Sequence, residues 1–318
     1  MQGQIRTVLG DVPPESLGRT NCHEHFLQVT PLLPGDELDD EELSRQEAAA
    51  MAQAGTEGVV EATPVGLGRD PAGLARISAS TQLHVVLTTG VHREEHYEPD
   101  HWLKHESTPA LVGRFVRDLT VGVPVRDTSR DEPLALSPTG MNIRAGLLKA
   151  GIGYWSISSF ERRVIEALAS AQQTTGAPVM VHLEHGSAAF ELLDLLEHHG
   201  VPADRVALAH IDRNPDPGLH SELAACGAYL GYDGAARSQR WPDSVLLDCL
   251  ERTCAAGGAD RILLGGDVAR RRRYVSYGGM PGLAYLATRF VPRVETAVGQ
   301  ATTSLILREN PARWLAWY

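Results

Sequence analysis

Residues 145–151 read AGLLKAG, an apolar segment with glycine near both ends and one charged side chain, Lys149. A short apolar run of this kind suits a strand buried on both faces, as in a parallel sheet. Runs of similar build recur on both sides of it. They are VVEAT at 59–63, HVVLTTG at 84–90, PVMVHLEH at 178–185, RVALAHID at 205–212, AYLGYD at 228–233 and RILLGGD at 261–267, with TNCHEH at 20–25 as the eighth. Between them, apolar residues three and four apart predict helices over Glu41 to Gln53, Phe160 to Thr174, Ala188 to His199, His220 to Cys226 and Ser244 to Ala256. Strand and helix alternating eight times over 318 residues predict an α/β fold, a (β/α)8 TIM barrel. An open doubly wound sheet has the same local rhythm.

The ends and one connection depart from that rhythm. Residues 1–20 predict a short N-terminal β-hairpin, Ile5 to Leu9, a turn at Pro13 and Pro14, then Leu17 to Thr20. Residues 302–318, with Leu305, Leu307, Trp314, Leu315 and Trp317, predict a C-terminal helical tail packed on the outside of the barrel. Gly122 to Asn142 is polar, holds three prolines and predicts a long loop before the fourth barrel strand. With no linker-like composition, residues 1–318 are expected to form one domain.

Composition narrows the function classes. A hydrophobic content of 43% and charged content of 22% are those of an ordinary globular chain, and a net charge of −11 argues against a phosphate-backbone footprint. Nucleic acid is therefore not an expected partner. No long uninterrupted apolar stretch and no basic-then-apolar leader are visible, so neither a membrane partner nor a secretory route is expected and the cytoplasm is the predicted location. Cys22, Cys226, Cys249 and Cys254 are irregularly spaced and are read as reduced thiols. Cys22 adjoins His23, but strand alternation is expected to turn it away from that imidazole.

Several strand runs end in an ionisable residue. His25, Lys149, His182, His210 and Asp267 lie within or at the C-terminal ends of their runs, and in a parallel barrel those ends meet at one mouth. His23 and His25 alternate along one strand and make a pair of imidazoles suited to a divalent metal. Lys149 is the sharpest single signal: the chain uses arginine 27 times and lysine twice, so a lysine inside an apolar strand points to chemistry arginine lacks. Burial lowers an ammonium's pKa and makes its amine a nucleophile. That amine can form a Schiff base with a carbonyl, or a carbamate with carbon dioxide whose oxygens bridge two metal ions. Converging histidines and an aspartate favour the carbamate.

Taken together, HEH at 23–25, IRAGLLK at 143–149, VHLEHG at 181–186, AHIDRNPDP at 209–217 and LLGGDVARRRRY followed by SYGGMPGL resemble the phosphotriesterase-related family of the amidohydrolase superfamily, over essentially the whole chain. The resemblance implies a (β/α)8 barrel with two divalent metal ions, most often zinc, with manganese or cobalt able to substitute. It implies that His23, His25 and Asp267 hold one ion, His182 and His210 the other, and carboxylated Lys149 bridges them together with a hydroxide. Asp267 would be the proton acceptor and later donor, and Asp212, two residues beyond His210, would orient a ligand or relay a proton, unless it serves a strand-end salt bridge. Homodimers are common in that family, so a dimer is an expectation here.

The loops set the substrate. Arg270, Arg271, Arg272 and Arg273 follow Asp267 in an acidic protein, which predicts a pocket for a small anionic substrate. The pattern is closer to family members that hydrolyse phosphorylated sugar lactones than to the organophosphate-degrading branch. Arg271 and Tyr274, one turn apart if helical, predict an anion clamp. Where those lactonases place a lysine after the seventh strand, this chain has Arg237, Ser238, Gln239 and Arg240, so Arg237 or Arg240 takes the place of that lysine, or the anion is a carboxylate; Gln239 is a further substrate-binding candidate. His92, Arg93 and Tyr97, after the third strand, are further pocket candidates. The expected activity is lactone opening by metal-bridged hydroxide. A phosphoesterase with the same centre, a non-catalytic small-molecule binder and a Schiff-base aldolase are the alternatives.

Overall fold

The computed structural model describes residues 3–128 and 131–317. Eight parallel strands form one sheet in sequence order: β3 (Thr20–Glu24), β4 (Gly58–Glu61), β5 (His84–Gly90), β6 (Leu147–Ile152), β7 (Val179–Leu183), β8 (Val206–Ala209), β9 (Tyr229–Tyr232) and β10 (Ile262–Leu264). The sheet closes where the amides of Gly266 and Asp267 donate to the His23 carbonyl at 3.2 and 2.9 Å. This is the (β/α)8 barrel, and each predicted strand run overlaps one of its staves.

Helices pack around the sheet because each has an apolar face and a start signal. α1 (Glu41–Gln53), α2 (Pro71–Thr81) and α3 (Thr108–Thr120) are capped by the side chains of Asp40, Asp70 and Ser107. α4 (Ser159–Thr175) carries a capping box from Ser158 and Glu161 and ends on left-handed Gly176. α5 (Ala189–His198), α6 (Pro217–Ala225), α7 (Asp243–Thr253), α8 (Val291–Ser304) and α9 (Asn310–Leu315) complete the ring. Among the described residues no helix is long and apolar enough to cross a membrane.

The N-terminal hairpin is tighter than its sequence predicts. β1 (Ile5–Thr7) pairs with β2 (Gly10–Val12) around Val8 and Leu9, and Thr20 opens the first barrel strand instead of closing the hairpin. Gly10, at φ 124°, permits the early turn. Ile5 and Leu17 join Trp314 and Leu315 in a buried cluster with the inward side chains of Val60, Val86, Leu147, Met180, Ala207, Tyr229 and Leu263. The tail therefore seals the N-terminal end of the barrel, with Trp314 donating to the Val179 carbonyl at 3.3 Å, and does not merely lie on its outside. With that end closed, the opposite end is the only open mouth among the described residues.

The connection before β6 is held by charge. Asp127 pairs with Arg69 at 2.8 Å and with Arg114, and Arg69, wholly buried, also pairs with Asp118 at 2.8 Å. Short bridges, Pro124 to Leu134 and Leu136 to Asn142, fold the segment on itself.

Candidate metal centre

At the C-terminal ends of the strands lies a cavity of about 630 Å³, floored by histidines and walled by arginines. His23 reaches it from β3, His25 from just past the end of that strand, His182 from β7, His210 from the end of β8 and Asp267 from the turn after β10, while Lys149 on β6 does not line the cavity and joins the group through His23. The rings run in a chain: centroids are 5.4 Å apart for His23 and His25, 4.9 Å for His23 and His210, and 4.4 Å for His182 and His210. Donor atoms of His23, His25 and Asp267 lie within 4.8 Å of one another.

Each imidazole has one nitrogen occupied and the other left to the centre. His23 Nδ1 meets Asp233 at 2.9 Å, His210 Nδ1 meets the other oxygen of the same carboxylate, and His25 Nδ1 meets the Thr63 hydroxyl at 2.9 Å. A carboxylate accepts only, so His23 and His210 carry their protons on Nδ1 and present Nε2 lone pairs. His182 is reversed, with Nε2 against Glu184 at 3.1 Å and Nδ1 left over. Burial holds His25, His182 and His210 well below the usual imidazole pKa, so all three are neutral and able to ligate at pH 7. This donor set fits divalent transition metals.

Lys149 is fully buried, and its Nζ lies 3.2 Å from His23 Nε2. Desolvation lowers its pKa to about 8 against the opposing pull of Asp267, Asp233 and Glu61. Gly90 is what lets β5 approach it: a Cβ there would stand 1.9 Å from the Lys149 carbonyl oxygen. Asp267 is also buried, a penalty outweighed by Arg237, His210, His23 and Arg213, which hold its carboxyl well below the usual range.

Asp233 was not singled out from sequence, yet it holds two of the imidazoles and its pKa is pulled well down by them in spite of burial. It ends the run AYLGYD as Asp267 ends RILLGGD, so the same strand-end signal was present. Glu61 and Glu24 also form the support behind the centre. Glu61 accepts from the Thr63 hydroxyl that meets His25, and Glu24 accepts from the amide of Val268, fixing the turn that carries Asp267. Burial pushes them up to about 7 and about 8. Asp212 does not touch the histidine rings: its Oδ2 accepts from Gly234 at 2.7 Å, tying two loops together, while Oδ1 is buried with no partner. Cys22 departs from the alternation expected of it. The pairing register shifts between Asn21 and Glu24, and Cys22 and His23 border the same small interior cavity, where burial raises the thiol pKa.

Of the predicted pocket residues, Arg237, Gln239 and Arg240 line the cavity, as do His92 and Arg93. Arg271, Tyr274 and Tyr97 do not. Residues 271–273 form a single 3-10 turn, so Arg271 swings out to Asp39 at 3.4 Å and over the Tyr277 ring, while Arg270, Arg272 and Arg273 face inward. Tyr274 is fully buried and donates to the His25 carbonyl, supporting the ligand strand from behind. Tyr97 donates to the Val65 carbonyl at 3.0 Å and accepts from the His92 amide at 2.9 Å. Arg213, which sequence did not bring forward, reaches Asp267 at 3.2 Å.

Backbone strain gathers at this mouth. Among the described non-glycine residues with positive φ, only Gln82 lies elsewhere; Trp155, His185, Ala188, His210, Ala236, Asp267 and Ala269 all follow β6 to β10. Such conformations persist where the surroundings impose them, and they cluster at functional sites.

The profile of the phosphotriesterase family matches residues 3–315. The chain belongs to the phosphotriesterase family. It is 30% identical to a phospho-furanose lactonase of Mycoplasmopsis agalactiae, over 98% of this chain and 91% of that protein. It is 26% identical to the N-acetyltaurine hydrolase of Danio rerio, over 100% and 99%. Among solved structures, a lactonase from Listeria monocytogenes superposes with a TM-score of 0.88 at 30% identity, covering 99% of both chains. This phosphotriesterase family member is a hydrolase.

Proposed function

We propose that this hydrolase opens the ring of an anionic lactone, with a phosphorylated sugar lactone as the substrate class. The observation that carries the reading is the convergence of His23, His25 and Asp267 on the floor of a cavity lined by seven arginines. His23, His25 and Asp267 would hold one divalent ion and His182 and His210 a second, zinc in first place, with Lys149 between them as a carbamate. When bound, such ions lower the pKa of water and polarise a carbonyl oxygen.

The chain's own residues do the rest. Asp233 and Thr63 fix the imidazoles in the tautomers that face the centre. The Lys149 amine, made partly neutral by burial, would add to carbon dioxide with release of one proton, replacing a repelling cation with an anionic ligand. Asp267 sits where it can take a proton from the reacting water and return it to the alkoxide leaving the acyl carbon. The arginines bind and orient the anionic end of the substrate and keep it from the floor. Support for a lactone comes from the lactonase relatives, and for an anion from the arginine walls.

The test is metal content by elemental analysis after growth with zinc and bicarbonate, with kinetics on phosphorylated lactones, neutral lactones and phosphoesters. About two metals per chain, lost with lactonase activity in Lys149→Ala, is the expected result. A chelator-insensitive protein inactive on every lactone would overturn the reading.

A further inference from the structure

Asp267 has two duties whose hydrogen bonds conflict. Its Oδ1 faces His25 Nε2 at 3.6 Å and His23 Nε2 at 3.8 Å. Its Oδ2 is covered by Arg213 Nη2 at 3.2 Å and by Arg237 Nη2, which also donates to the Asp267 carbonyl oxygen. A carboxylate oxygen engaged by two guanidinium groups offers little to a reacting water. The two arginines are not equally fixed. Arg213 belongs to a short turn pinned by His220, whose Nε2 meets the Ile211 and Asn214 carbonyls at 3.1 and 3.0 Å, and by Trp241 Nε1 on the Arg213 carbonyl. Arg237 sits on the loop after β9 with its side chain a quarter exposed to the cavity, and its Nε is buried without an acceptor.

With that donor left open for an acceptor other than Asp267 and the side chain the more exposed of the two, Arg237 is the arginine that moves. Arg270 and Arg273 stand close enough to repel it, and Arg213 shares its carboxylate oxygen. An entering phosphate would offer Arg237 two negative charges and paired oxygens in exchange for a carboxylate oxygen shared with Arg213 and a backbone carbonyl.

We propose that Arg237 is a gate worked by the anionic group of the substrate: it rests on Asp267 in the free protein and is drawn off by the anion, uncovering Oδ2 for the reacting water. The gate rests on the hydrolase reading above and adds to it that the anion promotes turnover as well as binding. Only an ion pair is exchanged; no covalent bond changes until the lactone reacts.

The experiment divides the substrate in two. Metal-loaded enzyme is given a neutral five-membered lactone with and without inorganic phosphite, and separately the intact phosphorylated lactone. In the wild type, phosphite accelerates the neutral lactone saturably, by about tenfold or more. Arg237→Gln hydrolyses the neutral lactone faster than wild type in the absence of phosphite and no longer responds to phosphite. Arg237→Lys keeps the charge without the paired donors and retains part of the response, which separates loss of the gate from loss of the fold. Trp241, on the same loop and bordering the cavity, supplies a second readout: its fluorescence shifts on titration with inorganic phosphate in the wild type and not in Arg237→Gln. If the phosphorylated lactone is hydrolysed but phosphite fails to accelerate or inhibits the neutral one, the gate is wrong and the hydrolase reading stands. If no lactone is hydrolysed, both fall.

Discussion

Lys149 shows how much one side chain can say. In a chain with 27 arginines and one other lysine, its place inside AGLLKAG is legible as buried chemistry, and the fold buries it completely, 3.2 Å from His23. Burial lowers its pKa to about 8, so its neutral fraction rises about tenfold per pH unit up to that value and then levels. Bicarbonate-dependent recovery of metal binding by stripped protein is expected to follow this curve, rising to about pH 8 and flat beyond; a rise continuing to the ordinary lysine range would contradict the assigned environment. Asp233 is the counter-example, a residue with the same strand-end signal whose importance appeared only in its contacts. Because one carboxylate orients both His23 and His210, Asp233→Asn is expected to weaken metal affinity about 10- to 100-fold in competition with a chelating dye, with the far-ultraviolet circular dichroism unchanged.

Among the elements, strands were read more securely than loops. An apolar run that must be buried on both faces leaves few alternatives, which is why every predicted run overlaps a barrel strand. The turn after β10 is different. ARRRRY gives no period, and the burial of Tyr274 beneath His25 fixes the turn, so Arg270, Arg272 and Arg273 line the cavity where Arg271 and Tyr274 were expected. The same limit applies to residues 122–142, legible as a loop but not as one tied down by Asp127. Asp127→Ala leaves the buried Arg69 with Asp118 as its remaining carboxylate partner, and a loss of about 3 kcal/mol in urea unfolding is expected, at the lower end for a broken buried pair. A loss under about 1 kcal/mol would mean that the segment is not anchored there.

For the molecule as a whole, the mouth concentrates groups that burial holds in their neutral forms, and this gives stability a pH dependence. His25, His92, His96, His182 and His210 all have pKa values lowered by desolvation, so the unfolded chain binds more protons than the fold below about pH 6.5. Glu24, Glu61 and Asp212, raised by burial, act in the opposite sense, but five imidazoles outweigh three carboxyls. Chelated protein should therefore lose stability as pH falls from about 6.5 to 5, measured as a falling thermal midpoint, and a midpoint that rises over this window would show the carboxyls dominate. Sequence by itself determined the alternation of strands and helices and the ionisable residue types at the strand ends, because strand burial and side-chain chemistry are local demands on residue type. Only the tertiary structure decided that Asp233 serves two imidazoles, that Trp314 seals the far end, that Arg237 meets Asp267 and that Arg271 turns out to Asp39. Those choices depend on which distant segments the closed sheet brings within hydrogen-bonding reach, and no local pattern encodes that distance.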